Sequence, residues 1–102
     1  MESKQNRLET VFNFWATKIN VALAGDFPDY VFNPNYKLMS LDSLSEYLAK
    51  EKHLPNTPTA ETVKLEGMDL GELTRLQQEK IEELTLYMIE LHKKIQILEA
   101  KL

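Results

Sequence analysis

The residues able to do chemistry are few and scattered. His53 and His92 are the two histidines of the chain, and neither has a partner at metal-ligand spacing. His53 precedes Leu54-Pro55 at an expected helix end, where an imidazole satisfies terminal carbonyls; that reading outweighs a catalytic one. Ser40, Ser43 and Ser45 crowd a helix start with no general base near them in sequence, so no nucleophile is indicated. Asp26 and Asp29 flank a turn, an ordinary place for aspartate. Glu82 and Glu83 resemble paired carboxylates but are expected on the outer face of a helix, as solvated charge. Gly25, Gly67 and Gly71 form no phosphate-binding loop. Trp15 with Phe12, Phe14 and Phe27 is read as a small core or a subunit contact in preference to a ligand patch. No catalytic residue, cofactor site or metal site is assigned, and the chain is expected not to be an enzyme.

These residues sit on a chain of 102 amino acids, enough for one small domain with an elongated extension. So short a domain buries a modest share of its unfolded surface, and association is one remedy. Disulfides and thiolate metal sites are excluded as staples because there is no cysteine. The net charge is −4, and the longest cationic cluster is Lys93-Lys94 beside His92, so a nucleic-acid partner is not expected. No apolar run reaches the roughly 20 residues that span a bilayer, and membrane insertion is not expected. Residues 1–7 lack the apolar core of a secretory signal, which implies synthesis in the cytoplasm.

The fold class expected from the pattern is α+β. Residues 1–9 are polar and read as frayed. A dense apolar cluster follows at Val11, Phe12, Phe14 and Trp15. Ile19, Val21 and Leu23 alternate with polar or small residues, predicting a half-buried strand over Lys18–Leu23. Gly25 to Asp29 supplies a turn, and Tyr30–Phe32 reads as a second extended segment closed by Asn33-Pro34-Asn35. Ser40 is an N-cap for a helix with Leu41, Leu44, Tyr47 and Leu48 on one face, running to about His53 before Pro55. After a stiff connector, Thr59 caps a short helix from Ala60 to Glu66, stopped by Gly67. Asp69 caps the last helix, with Glu72 placed to reach back to the Asp69 amide in an aspartate variant of the capping box. The boundaries expected are 1–68 for the small α+β portion and 69–102 for the long helix, coiled coil from about residue 78.

That helix carries the strongest periodic signal. Ile81, Leu84, Met88, Leu91, Ile95, Leu98 and Leu102 keep strict 3-4 spacing and read as a, d, a, d, a, d, a of a heptad. Upstream the pattern falters at Thr74 and Gln77, while Leu70, Leu73 and Leu76 suggest a shifted seam against the small domain. The expectation is self-association, because the rest of the chain has too little apolar surface to cover such a helix. Isoleucine at a with leucine at d favours a parallel dimer. Leu86, Ile89 and Ile97 lie outside the seam and favour more strands or an outer partner, and Tyr87 falls at g. Lys94 at g faces Glu99 at the next e of a parallel neighbour, a pair worth about 0.2–1 kcal/mol.

Asp29-Tyr30-Val31-Phe32, Tyr36 to Leu41, His53-Leu54-Pro55-Asn56, Leu70-Gly71-Glu72 and Lys80 to Tyr87 occur in an order that resembles a known module. It is the C-terminal module of tail-fibre-like and secreted surface proteins of Bacteroidota, distantly similar to the intramolecular chaperone domain of endosialidase type. The resemblance spans about residues 17–102. It implies an end-piece of a fibrous, trimeric protein, with a compact α+β portion feeding a terminal parallel coiled coil. It also implies a phage virion or cell-surface assembly as location, and as partners further copies of the chain and larger fibre or particle proteins. Self-cleaving relatives carry a Ser-Asp at the cut; here Pro28-Asp29 stands in its place, so no catalytic residue carries over. The resembling module ends a much longer chain, which makes this one either a stand-alone subunit or an excised piece. Two further readings stay open: an adaptor whose helix docks a different protein through Leu86, Ile89 and Ile97, and a remnant of a self-cleaving chaperone.

Overall fold

In a computed structural model that describes residues 15–23 and 25–102, the protein is helical. Three helices follow one another: α1 from Leu41 to Glu51, α2 from Ala60 to Glu66 and α3 from Leu70 to Ala100, with a 3-10 turn at Tyr30–Phe32 ahead of them. Among the described residues there is no strand, so the α+β class expected from the sequence is corrected to all-helical. Lys18–Leu23 carries the alternation of a strand but pairs with no strand among the described residues. An unpaired segment leaves its amides and carbonyls to water, and residues 18–22 are exposed. The second expected strand fails for another reason. Tyr30–Phe32 satisfies its backbone locally, with the Phe32 amide donating to the Asp29 carbonyl at 3.1 Å and the Asn33 amide to Tyr30 at 3.0 Å. Asn33 then accepts the Asn35 amide on its side chain and the Tyr36 amide on its carbonyl, continuing the turn.

The helix starts follow their caps. The Ser40, Thr59 and Asp69 side chains accept the amides of Ser43, Thr62 and Glu72 at 3.1, 3.1 and 2.9 Å. The reciprocal half of the box at Asp69 does not form, because both carboxylate oxygens of Glu72 are taken by Arg75 one turn on. α1 stops at Glu51, two residues short of expectation, where Lys52 turns left-handed at φ 63°. Gly67, at φ 73°, ends α2 in backbone territory that disfavours any side chain.

α3 governs everything else. At 31 residues it runs about 46 Å at 1.5 Å per residue, and the molecule is correspondingly elongated, 72 × 33 × 26 Å. The preceding elements cover it only as far as about Glu90, roughly its first two thirds. Val31, fully buried, sits in the turn that packs on α3. At the helix start Gly71 lets the extended segment come close: a Cβ there would meet Val21 Cγ1 at 2.8 Å and Leu23 Cδ2 at 3.2 Å. Among the described residues the core is correspondingly small, with Val31, Leu76 and Tyr87 the buried hydrophobic residues and Pro28 also enclosed. The aromatic cluster expected at the N-terminal side does not assemble among the described residues, since Trp15 and Phe27 are both exposed; Val11, Phe12 and Phe14 lie outside them.

Candidate self-association interface

α3 presents two faces built on different chemistry. One is its own chain's anchor. Glu79, Glu82, Glu83, Leu86, Tyr87 and Glu90 recur at steps of three and four, the spacing of a helix stripe that faces a neighbour. All six are buried or half-buried. At Glu79, Glu83 and Tyr87 the groups that meet this stripe are polar. Arg75 Nη1 donates to the Tyr30 hydroxyl at 2.8 Å, and that hydroxyl donates to Glu79 Oε1 at 2.5 Å. The Tyr36 hydroxyl donates to Glu83, whose other oxygen accepts from Lys80 Nζ at 3.0 Å. Tyr87 donates to the Met39 carbonyl at 2.6 Å, tying α3 to the lead-in of α1. The Tyr30 and Tyr36 rings lie 6.0 Å apart, within the range of aromatic pairing.

Burial, helped by the neighbouring carboxylates, holds these phenols protonated. Burial first, and then the hydrogen bond and negative charge of Glu79, push the Tyr30 phenol up to about 12. Burial and Glu83 raise Tyr36 as well, and burial raises Tyr87. Glu82 is enclosed, 3% exposed, and corrects the expectation that it and Glu83 are solvated. Its Oε2 accepts from Gln78 Nε2 at 3.0 Å, while Oε1 has no hydrogen-bond partner. Glu79 Oε2 likewise has none, though Lys80 Nζ lies 3.4 Å away. An uncompensated buried oxygen costs about 1–3 kcal/mol, so this anchor is specific more than strong.

The other face is the heptad seam, and it is bare. Ile81, Leu84, Met88, Leu91, Ile95 and Leu98 are between 46% and 69% exposed, and Leu102 is fully so. Apolar side chains this exposed, aligned over three heptads, are unusual on a surface that meets only water. The seam opens at its base into an apolar groove of about 600 Å³, lined by Leu54, Val63, Met68, Leu73, Ile81 and Leu84 among others. Leu73 and Leu76 turn toward that groove, as the shifted seam requires, while Leu70 is exposed. Two of the flanking residues are already engaged: Tyr87 is buried in its own chain, and Lys80 is paired with Glu79 and Glu83. Lys94 reaches Glu90 at 3.3 Å within its own helix, in competition with any Glu99 across an interface. Leu86 is half-covered by its own chain, so of the three outer residues Leu86, Ile89 and Ile97 the last two are exposed.

The remaining candidates take ordinary positions. His53 Nδ1 donates to the Leu54 carbonyl at 2.9 Å and its ring meets Tyr47 edge-on at 5.7 Å. Ser40 and Ser43 are spent on the cap of α1. Among the described residues no three His, Cys, Asp or Glu side chains gather to hold a metal, and no helix is long and apolar enough to cross a membrane. The Tyr30–Arg75–Glu79 and Tyr36–Glu83–Lys80 chains are not among the sequence expectations; the three-and-four spacing from Glu79 to Glu90 is their signal, hidden because it is filled by glutamates. Compared with known proteins, the chain matches no family profile, no curated protein and no solved structure.

Proposed function

We propose that this chain is a non-enzymatic assembly module that associates with copies of itself through Ile81, Leu84, Met88, Leu91, Ile95, Leu98 and Leu102. The observation that carries the reading is the unbroken heptad left bare along a helix whose opposite side is already used. Fully burying an exposed Leu, Ile or Met side chain contributes about 1.5–3 kcal/mol, and each helical seam residue, 46% to 69% exposed, offers roughly half of that gain. The fibre end-piece implied by the resemblance keeps the long free helix in its support but loses the α+β portion. The assembly is therefore proposed without a named particle.

Sedimentation equilibrium at micromolar concentration tests it. The wild-type chain is expected above monomer mass, and Leu91→Asp is expected to return it to monomer while α1 and the base of α3 keep their circular dichroism. A monomeric wild-type chain would sink the reading. The adaptor alternative then gains, since the exposed seam would be free for another protein's helix.

A further inference from the structure

The groove at the base of the seam bears on how two copies would pair, an inference that rests on self-association being correct. We infer that two copies pair antiparallel, the tip of each α3 lying in the groove of the other. In a parallel pair the same heights face one another. The groove flank of one helix, at Leu73 and Lys80, then meets the opposite flank of its neighbour, where Gln78 and Thr85 stand. Polar side chains would face an apolar trough and leave it unfilled. Turned end for end, with Met88 packed beside Leu91 of the second copy, the heptad keeps its register. Ile81 then meets Leu98 and Leu84 meets Ile95, and Leu102, two residues past the end of α3, comes level with Gln77.

That register brings the apolar tip, Leu98 and Leu102, to the groove together with Ile97, which has no role in a parallel seam and is 56% exposed. Charge agrees outside the groove itself. The segment that contributes Val63 and Met68 to the lining carries exposed Glu61, Glu66 and Asp69 against Lys64, while residues 92–102 carry Lys93, Lys94 and Lys101 against Glu99. Lys80, the one charged lining residue, is already paired with Glu79 and Glu83, so the acidic segment and the basic tip set the complementarity in each half of the pair. Because each contact occurs twice about a two-fold axis near Met88 and Leu91, the arrangement closes at two chains.

The absence of cysteine makes the test direct, since any introduced thiol is unique. Gln77→Cys and Leu102→Cys chains, prepared separately, are mixed under mild oxidation and their masses read beside sedimentation equilibrium. The expected result is a mixed disulfide between the two variants, little product from either alone, and the mass of a dimer. Gln77→Cys linking to itself in an associated protein overturns the antiparallel pair while leaving self-association intact, as does a trimer. A dimer that gives no mixed product also overturns it. A monomeric wild-type chain overturns both readings, and leaves the groove to a different protein. As a second measurement, Ile97→Asp is expected to raise the dimer dissociation constant about tenfold or more. An unchanged constant would show that the tip does not enter the groove.

Discussion

The first two thirds of α3 and its last third are one helix solved twice. From Leu70 to about Glu90 its inward stripe is met by the chain's own turn and loop through phenols, carboxylates and one guanidinium. From Leu91 to Leu102 every residue is exposed, and what continues there is the aliphatic seam that begins on the other face at Ile81. The contrast teaches that the polar face is the one this chain covers internally, at the cost of two unpaired carboxylate oxygens, while the apolar face is left open. Polar groups need partners at fixed distances and angles, which a covalently attached segment supplies reliably. Aliphatic groups need only area, which any second apolar surface supplies.

The largest effect expected on that division is alkaline. The folded chain holds Tyr30 protonated up to about 12, whereas an unfolded tyrosine gives up its proton near 10.0. Its stabilising contribution is therefore intact below pH 10 and lost as pH rises from there toward 12, with Tyr36 and Tyr87 shifted in the same direction. Tyrosinate absorbance followed together with near-ultraviolet circular dichroism should show the base loosening in that window. A base that stays packed after its tyrosines ionise would break the comparison.

A smaller effect isolates one anchor point. Tyr87→Phe keeps the ring and strands the Met39 carbonyl, and should cost about 1–2 kcal/mol in urea unfolding. No loss would mean the hydroxyl is dispensable and that the ring alone anchors α1. The smallest expected effect has the opposite sign. Glu82→Met removes a buried carboxylate with an unpaired oxygen and should raise the urea midpoint, by about 1 kcal/mol of stability. A lower midpoint would show that Glu82 contributes to the anchor despite that oxygen.

Legibility in the sequence follows the range of the physics. The caps at Ser40, Thr59 and Asp69 act within three residues, and the three helix starts are readable from them. The alternation at Lys18–Leu23 misleads because it states only which side is apolar. Whether a ladder partner exists is decided elsewhere in the chain. Here Val21 and Leu23 lean on a glycine of α3 instead of on a sheet. The tyrosine anchor is invisible because Glu79 and Tyr30 are 49 residues apart, and glutamates on a helix read as surface until a donor is seen above them. The seam is readable because a heptad repeats within two turns of one helix, whatever surface comes to cover it.

Gly71 carries a consequence for how this sequence drifts over evolutionary time. It is the notch through which the segment at Val21 crosses the helix start, and even a methyl group would stand 2.8 Å from that valine. Alanine is otherwise the better helix former by about 0.5–1 kcal/mol, so local preference and the crossing oppose each other at this position. Lineages that retain the crossing should keep glycine there. Those that abandon it are free to take alanine, and the residue at 71 becomes a one-letter record of whether the extended segment is still strapped to the helix.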